Sequence, residues 1–490
     1  MPTPLYQRLA AHYRDAVAAG SLTPGARFPS VRSLMAQHEV SLTTALQVCR
    51  VLEQEGLLEA RPRSGYFVCH PAGRPPLRLN EPEARPLDPA AYVGMHARVS
   101  EFIARGRQQP VTVNFSGARG APELYPAEAL RQAAGRALRE DPELFVRAGP
   151  VAGEPVFCEV LAKRALASGM VIAPEEIVVT QGCIEALNLA LRAVTQPGDI
   201  VAVESPTFYG LMQVLESLSL RVLEIPTSPQ TGISLEALEL AVHHGSKIAA
   251  LVVVPYLQNP LGSVMPAANQ ARLVNFCAEQ GIALIEDDTY SALLDEDVPQ
   301  RALKALDRTG GVIHCASLHK VLAPGLRLGW MTAGRWQARV EMLKYAQSRH
   351  NDALPQYAAA AVMGSSQYDR HLRRLRAALN LQRRQVSDAL LRAFPVGTRF
   401  NTPPGGLSLW VELPDRRDAR ALFSAALAEG ILIAPGVMFS NVERYATCLR
   451  LNCGNPFTPE VAAAVQRLGE LCLTRCRPGA VGSSASGSAA

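Results

Sequence analysis

Five short apolar runs, spaced by stretches of helical pattern, constrain this chain more than any other feature. They are IVVT (177–180), IVAVE (200–204), AALVVVP (249–255), IALIED (282–287) and GVIHCAS (311–317). Strands that alternate with helices predict crossover units, because parallel neighbours need a connection long enough to hold a helix. The expectation for residues 101–478 is a mostly parallel α/β sheet with helices on both faces. Ligands of such open sheets sit at the carboxyl ends of the strands.

Two further regimes flank this one. Residues 1–70 show short helical patterns ending in a turn-and-strand signal, and 479–490 (GAVGSSASGSAA) have nothing to bury and predict disorder. Residues 71–100 are Pro-rich (PAGRPPLRLNEPEARPLDPAAY), which predicts an extended linker. At 490 residues the chain exceeds one ordinary domain of about 150 residues. The net charge of +5 is too mild to argue for nucleic acid by itself. The local bias of Arg61, Arg63, Arg74, Arg78 and Arg85 against Glu81 and Glu83 is more informative. Apolar stretches such as 248–254 are too short to span a bilayer, so no membrane is expected. The start, MPTPLYQRLAAHYRD, carries charges where a signal peptide has an apolar stretch, which predicts a cytoplasmic protein. The ten cysteines are scattered without a CxxC pair, so reduced buried thiols are expected and a metal site is not.

Leu5, Leu9 and Ala16 lie at helical spacing before a stop at Gly20. Pro24-Gly25 predicts a turn, and Ser30 is a good N-cap for VRSLMAQH. Ser41 caps a second amphipathic helix that opens with Thr43, Thr44 and Gln47 and runs to about Glu55. Two helices joined by a few residues predict a helix-turn-helix, and LLEARPRSGYFV adds two β-rich runs around a basic turn, a β-wing. Taken singly, Ser30 and Ser41 read as caps and nothing more. In this order the segment resembles the winged helix-turn-helix of GntR-type regulators over residues 5–68, through Pro24-Gly25, Arg27–Arg32, Glu55-Gly56-Leu57 and Arg63–Val68. The resemblance implies that Arg32, Ser41, Thr43, Thr44 and the wing tip Arg63, Ser64 and Gly65 contact double-stranded promoter DNA. Leu42 departs from it, standing where many relatives carry a polar or basic residue.

The run Ser317-Leu318-His319-Lys320-Val321-Leu322-Ala323-Pro324-Gly325-Leu326-Arg327 sets a lysine between an apolar strand and a turn, with an arginine seven residues on. A lysine of lowered pKa forms a Schiff base with an aldehyde, and Ser317 with Arg327 suits a phosphate. Alone, such a lysine is more often a solvated charge. Four more pieces accompany it. Asp287 ends a buried strand, where it would keep a pyridine nitrogen protonated, with Tyr290 three residues on. Asn259 lies in the QNPLG loop after another strand. Gly182 and Cys183 open a helix whose amides suit phosphate, and Phe208 offers a face for stacking.

Together and in this order these residues resemble the fold-type I aminotransferases over about 110–475. The resemblance implies a pyridoxal 5'-phosphate-dependent transferase fold with a smaller C-terminal α/β subdomain. By it, Lys320 carries the internal aldimine and is the catalytic residue, Asp287 pairs with the pyridinium, and Asn259 with Tyr290 holds the ring oxygen. Phe208 stacks, while Gly182, Cys183, Ser317 and Arg327 hold phosphate. Arg450, in Leu449-Arg450-Leu451-Asn452, matches the strand arginine that clamps a substrate or effector carboxylate. His319 replaces a hydroxyl residue, Ala148 takes the place of a tyrosine, and Phe208 lacks the common phenolic hydroxyl.

A GntR-like reader fused to an aminotransferase-like unit resembles the MocR subfamily throughout. This implies a head-to-tail, domain-swapped homodimer that binds promoter DNA and senses a small amino compound as an external aldimine. An active aminotransferase with a secondary DNA-binding domain is the alternative, and a reader on an inactive scaffold is disfavoured because every ring, phosphate and lysine position is filled.

Overall fold

A computed structural model describes residues 4–18, 21–22, 26–54, 57–61, 65–68, 76–82, 87–295 and 298–476. Two compact units divide at Pro75 and Pro76.

The first unit contains helices α1 (Leu5–Ala18), α2 (Val31–His38) and α3 (Leu42–Gln54), then strands β1 (Leu58–Arg61) and β2 (Gly65–Val68). Ser30 Oγ accepts from Ser33 N at 3.1 Å and Ser41 Oγ from Thr44 N at 3.2 Å, so each hydroxyl satisfies a helix amide that lacks an intrahelical partner. Ala10, Tyr13, Phe28, Leu34, Val48 and Leu52 form its core. β1 and β2 pair antiparallel from Leu58↔Val68 to Arg61↔Gly65. Residues 26–28 add to β2, with Phe28 N on Tyr66 O at 2.8 Å and Val68 N on Ala26 O at 2.9 Å.

The second unit begins inside the expected linker. Leu77 bridges to Arg399, and Asn401 Oδ1 accepts from Leu79 N at 3.1 Å. Strand β3 (Ala91–Tyr92) joins the main sheet, Val93 and Met95 are buried, and a helix spans His96–Gln108. The prolines remove donors, but Leu79, Val93 and Met95 still bury. The extended linker expected over 71–100 is therefore corrected from Pro76 on, where these side chains, β3 and the helix from His96 belong to the second unit. The expected tail 479–490 lies outside the described residues.

The remaining strands are β4 (Val113–Asn114), β5 (Val178–Thr180), β6 (Ile200–Ser205), β7 (Arg221–Ser228), β8 (Gly232–Ile233), β9 (Ile248–Val253), β10 (Ala283–Asp288), β11 (Val312–Ser317) and β12 (Gly329–Thr332). A C-terminal set follows: β13 (Arg399–Phe400), β14 (Ser408–Glu412), β15 (Ile431–Leu432), β16 (Ala434–Pro435) and β17 (Cys448–Asn452). Among the described residues the main sheet has nine strands in the order β3-β7-β6-β9-β10-β11-β12-β5, with β8 beside β7. Its centre, β7-β6-β9-β10-β11, is parallel, and β12 runs antiparallel to both β11 and β5. The second sheet, β13-β14-β17-β16, forms the smaller C-terminal subdomain. Nine described cysteines are free and buried. No described helix is long and apolar enough to cross a membrane.

Candidate functional site

The antiparallel step from β11 to β12 decides where Lys320 lies. Ser317 pairs with Gly329, so the loop 318–328 leaves and re-enters the sheet at the carboxyl end of the parallel strands. Leu318 N closes the loop on Leu328 O at 3.0 Å. Arg327 adopts the left-handed region at φ 53°. Gly329 allows a close approach: a Cβ there would stand 2.6 Å from Ala316 O and 2.7 Å from Gly182 Cα. That contact sets Gly182, the N-cap of helix Cys183–Val194, beside the loop.

A cleft of about 190 Å³ opens here, and all ten residues expected from the sequence line it: Gly182, Cys183, Phe208, Asn259, Asp287, Tyr290, Ser317, Lys320, Arg327 and Arg450. Lys320 Nζ donates to the Ala118 carbonyl. Burial, with help from the Arg450 and Arg119 cations, pushes its pKa down to about 8. Asp287 lines the cleft, and burial pushes its pKa up. Its Oδ1 accepts from Thr289 Oγ1 at 2.6 Å and Cys183 Sγ at 3.1 Å. Asn259 Nδ2 donates to the Tyr290 oxygen at 3.3 Å, and burial also raises the Tyr290 pKa.

Arg450 is 1 % exposed on β17. It donates to Asn259 Oδ1 at 2.9 Å and to the Ser116 carbonyl, and lies 5.0 Å from the Phe439 ring centre. Its buried Nε has no hydrogen-bond partner among the described residues. Arg327 reaches Gln181 O at 3.0 Å and a ring nitrogen of His319 at 2.8 Å. Burial, then Arg327 and Lys320, push the His319 pKa down to about 4, so the ring is neutral near pH 7.

In the first unit Arg32, Ser41 and Thr43 are exposed and Thr44 is half-buried. Gly65 opens β2 at φ 96°. Arg63, Ser64 and the Pro24-Gly25 turn lie outside the described residues. Leu42, exposed at the start of α3, keeps an apolar side chain on that face.

Residues 5–68 match the bacterial regulatory proteins of the gntR family, and residues 118–468 match aminotransferase class I and II. The HTH-type transcriptional regulator YjiR of Escherichia coli (strain K12) is 35% identical over 95% of this chain and 98% of its own length. YdcR of the same organism is 35% identical over 96% of this chain and 99% of its own. The chain belongs to the MocR-type GntR regulators. The second unit of this MocR-type chain also resembles the crystal structure of LysN, an alpha-aminoadipate aminotransferase from Thermus thermophilus complexed with N-(5'-phosphopyridoxyl)-L-leucine. That likeness has a TM-score of 0.70 at 29% identity and covers 76% of this chain and 94% of LysN.

Sequence reasoning missed three contributors to the MocR-type cleft. Ala118 lines it and receives Lys320 through a backbone carbonyl, which leaves no side-chain signature. Thr289 follows Asp287 by two residues and holds its carboxylate; the sequence EDDTY contains that signal. His319 lines the cleft between Gly182 and Arg327, so the residue read as a lost hydroxyl adds a ring nitrogen there. The Cys183 thiol points to Asp287, leaving only the helix-terminal amide of that residue for an anion.

Proposed function

We propose that this chain is a pyridoxal phosphate-dependent transcriptional regulator that binds promoter DNA with its first unit and senses an amino compound in the second. The observation that carries the reading is the cleft itself, built at the carboxyl end of the parallel strands in a chain that also contains a GntR reader.

The residues fit the cofactor's three chemical demands. A phosphate suits Arg327, Ser317, His319 and the amides at the start of helix Cys183–Val194, where Gly182 leaves the approach clear at φ 83°. A basic ring nitrogen suits Asp287, whose carboxylate a facing pyridinium would return to the ionised form. An aldehyde suits Lys320, because a pKa of about 8 leaves a usable fraction of neutral amine near pH 7. Bound there, pyridoxal phosphate supplies an aldehyde carbon that condenses reversibly with primary amines.

The chain's own residues then do the recognition. Asn259 and Tyr290 would hold the ring oxygen, and Phe208 would cover the ring. Arg450, whose Nε has no hydrogen-bond partner among the described residues, would grip an effector carboxylate. An effector amine that took the aldehyde would leave the Lys320 amine free to donate to the Ala118 carbonyl, a contact the lysine would give up while it held the aldehyde itself. A ligand shifts an equilibrium only by binding two states differently, and this exchange of contacts is such a difference. In the reader, Ser41, Thr43 and Thr44 at the start of α3, with Arg32 and the Arg63–Gly65 wing tip, would meet the duplex. We read the working form as a homodimer, a reading supported by exposed apolar side chains such as Phe145 and Val146.

Turnover as an aminotransferase is the second reading. It is favoured by the intact Lys320 amine, which would move a proton at the substrate carbon. An absorbance screen of the purified chain against amino acids and amines, followed by promoter-binding assays with any hit, tests the first reading. Lys320→Ala should lose the cofactor's visible absorbance and borohydride-trapped adduct while keeping basal DNA binding. A folded mutant that binds no DNA, or a wild type that traps no adduct at Lys320, would sink it. Steady turnover of an amino donor with a keto acid would favour the second.

A further inference from the structure

β10 turns successive side chains to opposite faces, so its two terminal carboxylates serve different chambers. Asp287 lines the cofactor cleft, whereas Asp288 lines a separate cavity of about 500 Å³ across the sheet. Thr289 and Ser317 belong to both walls. Leu161, Met170, Leu318, Trp330, Met363 and Leu372 give the second cavity an apolar body. Its size falls within the range of small-molecule pockets, roughly 300–1,000 Å³.

One wall of this cavity holds an unsatisfied group. His314 is fully buried, and its Nδ1 lies 3.0 Å from Glu286 Oε2. The Glu286 carboxylate also accepts from Leu303 N at 2.8 Å and Lys304 N at 3.1 Å, so it acts as an acceptor and the Nδ1 position carries a proton. Among the described residues His314 Nε2 has no hydrogen-bond partner, and it stands 3.8 Å from Asp288 Oδ2, too far for a direct bond. A buried polar atom left in this way is costly unless something fills the gap.

Against the effect of burial, Glu286 and Asp288 raise the His314 pKa, and burial raises that of Asp288, so both atoms facing the 3.8 Å gap favour a proton; on either one, it leaves the pair with one donor and one acceptor. A hydroxyl group offers one of each. An ammonium offers only donors, and a ketone only acceptors. Toward solvent the cavity meets exposed Arg373 and half-buried Arg376, whose Nε is given to Ala292 O at 2.9 Å. Arg164 is already paired with Asp369 and the Met363 carbonyl. The cationic edge calls for an anion at the ligand's other end.

We propose that this cavity is a second small-molecule site, taking a hydroxylated carboxylic acid with an apolar body and standing apart from the cofactor cleft. The hydroxyl bridges His314 and Asp288, the body packs on Trp330 and its neighbours, and the carboxylate faces Arg373.

The probe is 4-hydroxyphenylacetate, which has no amine or aldehyde to react in the cleft. Calorimetry on the full-length chain should find saturable binding. Phenylacetate, lacking the hydroxyl, should bind roughly tenfold or more weakly, because its loss leaves the buried pair unbridged. Arg373→Glu, at an exposed position, should also weaken the hydroxylated acid about tenfold, and the loss should shrink with added salt. His314→Phe should abolish binding. Arg450→Gln, in the other chamber, should leave the affinity unchanged. Absence of binding to the wild type, equal affinity for phenylacetate, or loss of binding in Arg450→Gln would each overturn the proposal. The phenylacetate and Arg373→Glu measurements decide the matter even where His314→Phe does not fold.

Discussion

The depressed pKa of Lys320 makes a quantitative prediction about loading the cofactor. Burial beside two arginines lowers the amine from an ordinary 10.5 to about 8. That displacement corresponds to about 3 kcal/mol of penalty on the ammonium form. At pH 7 the neutral fraction rises from about 0.03% to about 9%, a gain of roughly 300-fold in reactive amine. Apoprotein mixed with pyridoxal phosphate across the alkaline range, quenched with borohydride and digested, reports the rate of adduct formation at Lys320. Free N-acetyl-lysine and Lys320→Ala serve as references for the cofactor's own titrations. The midpoint should lie near pH 8, well below that of the free amine. Arg450→Gln removes the largest charge contribution after burial and should move the midpoint upward, slowing loading at pH 7. A wild-type midpoint at the ordinary lysine value, or a downward move in Arg450→Gln, would refute the reasoning. The linkage has a definite sign. The unfolded chain keeps this proton up to higher pH than the folded one, so the penalty on folding is full below about pH 8 and fades as pH rises toward 10.5.

Gly329→Ala forces a methyl against Ala316 O and Gly182 Cα; it should cost about 1–3 kcal/mol in denaturant unfolding and weaken cofactor binding in a titration. Lys344, 1 % exposed, neutralises buried Glu185, whose carboxylate also accepts from Gln181 N beside Arg327. Lys344→Met should therefore destabilise the chain by about 3 kcal/mol, read by chemical unfolding, and loosen the phosphate end of the cleft. Ser41→Ala removes the cap of α3 and should lower the stability of the reader by about 1 kcal/mol, seen as an earlier thermal transition by circular dichroism. Arg63→Ala should weaken promoter binding and flatten its salt dependence by about one ion's worth, and an unchanged slope would remove Arg63 from the interface.

Much of the cleft was legible because its parts are side chains with strong chemical preferences, set where strands end. Asp287, Lys320 and Asn259 lie on or close after runs whose apolar period had already placed the strand termini, and Arg327 follows Lys320 by seven residues. The reader was legible for a related reason: Ser30 and Ser41 mark helix starts through a local bond that needs no tertiary partner. What escaped was written in the backbone or in distant pairings. The Ala118 carbonyl could be any residue's, and Leu77 and Leu79 find partners more than 300 positions away at Arg399 and Asn401. The prolines between 71 and 100 hid this packing, because they signal the absence of regular structure without saying whether the chain beside them is buried. His314 could not be read as unsatisfied, since only the fold shows that Asp288 stops 3.8 Å short of its second nitrogen.

The loop that carries Lys320 is clamped at both ends by one ladder, Ser317 against Gly329, with no crossover helix to take up slack. It is thereby tied to the main sheet. Arg450, across the cleft, belongs to the second sheet, so a small molecule held at both Lys320 and Arg450 would couple the two sheets, and a spectroscopic label placed on the C-terminal layer is where movement should first be sought.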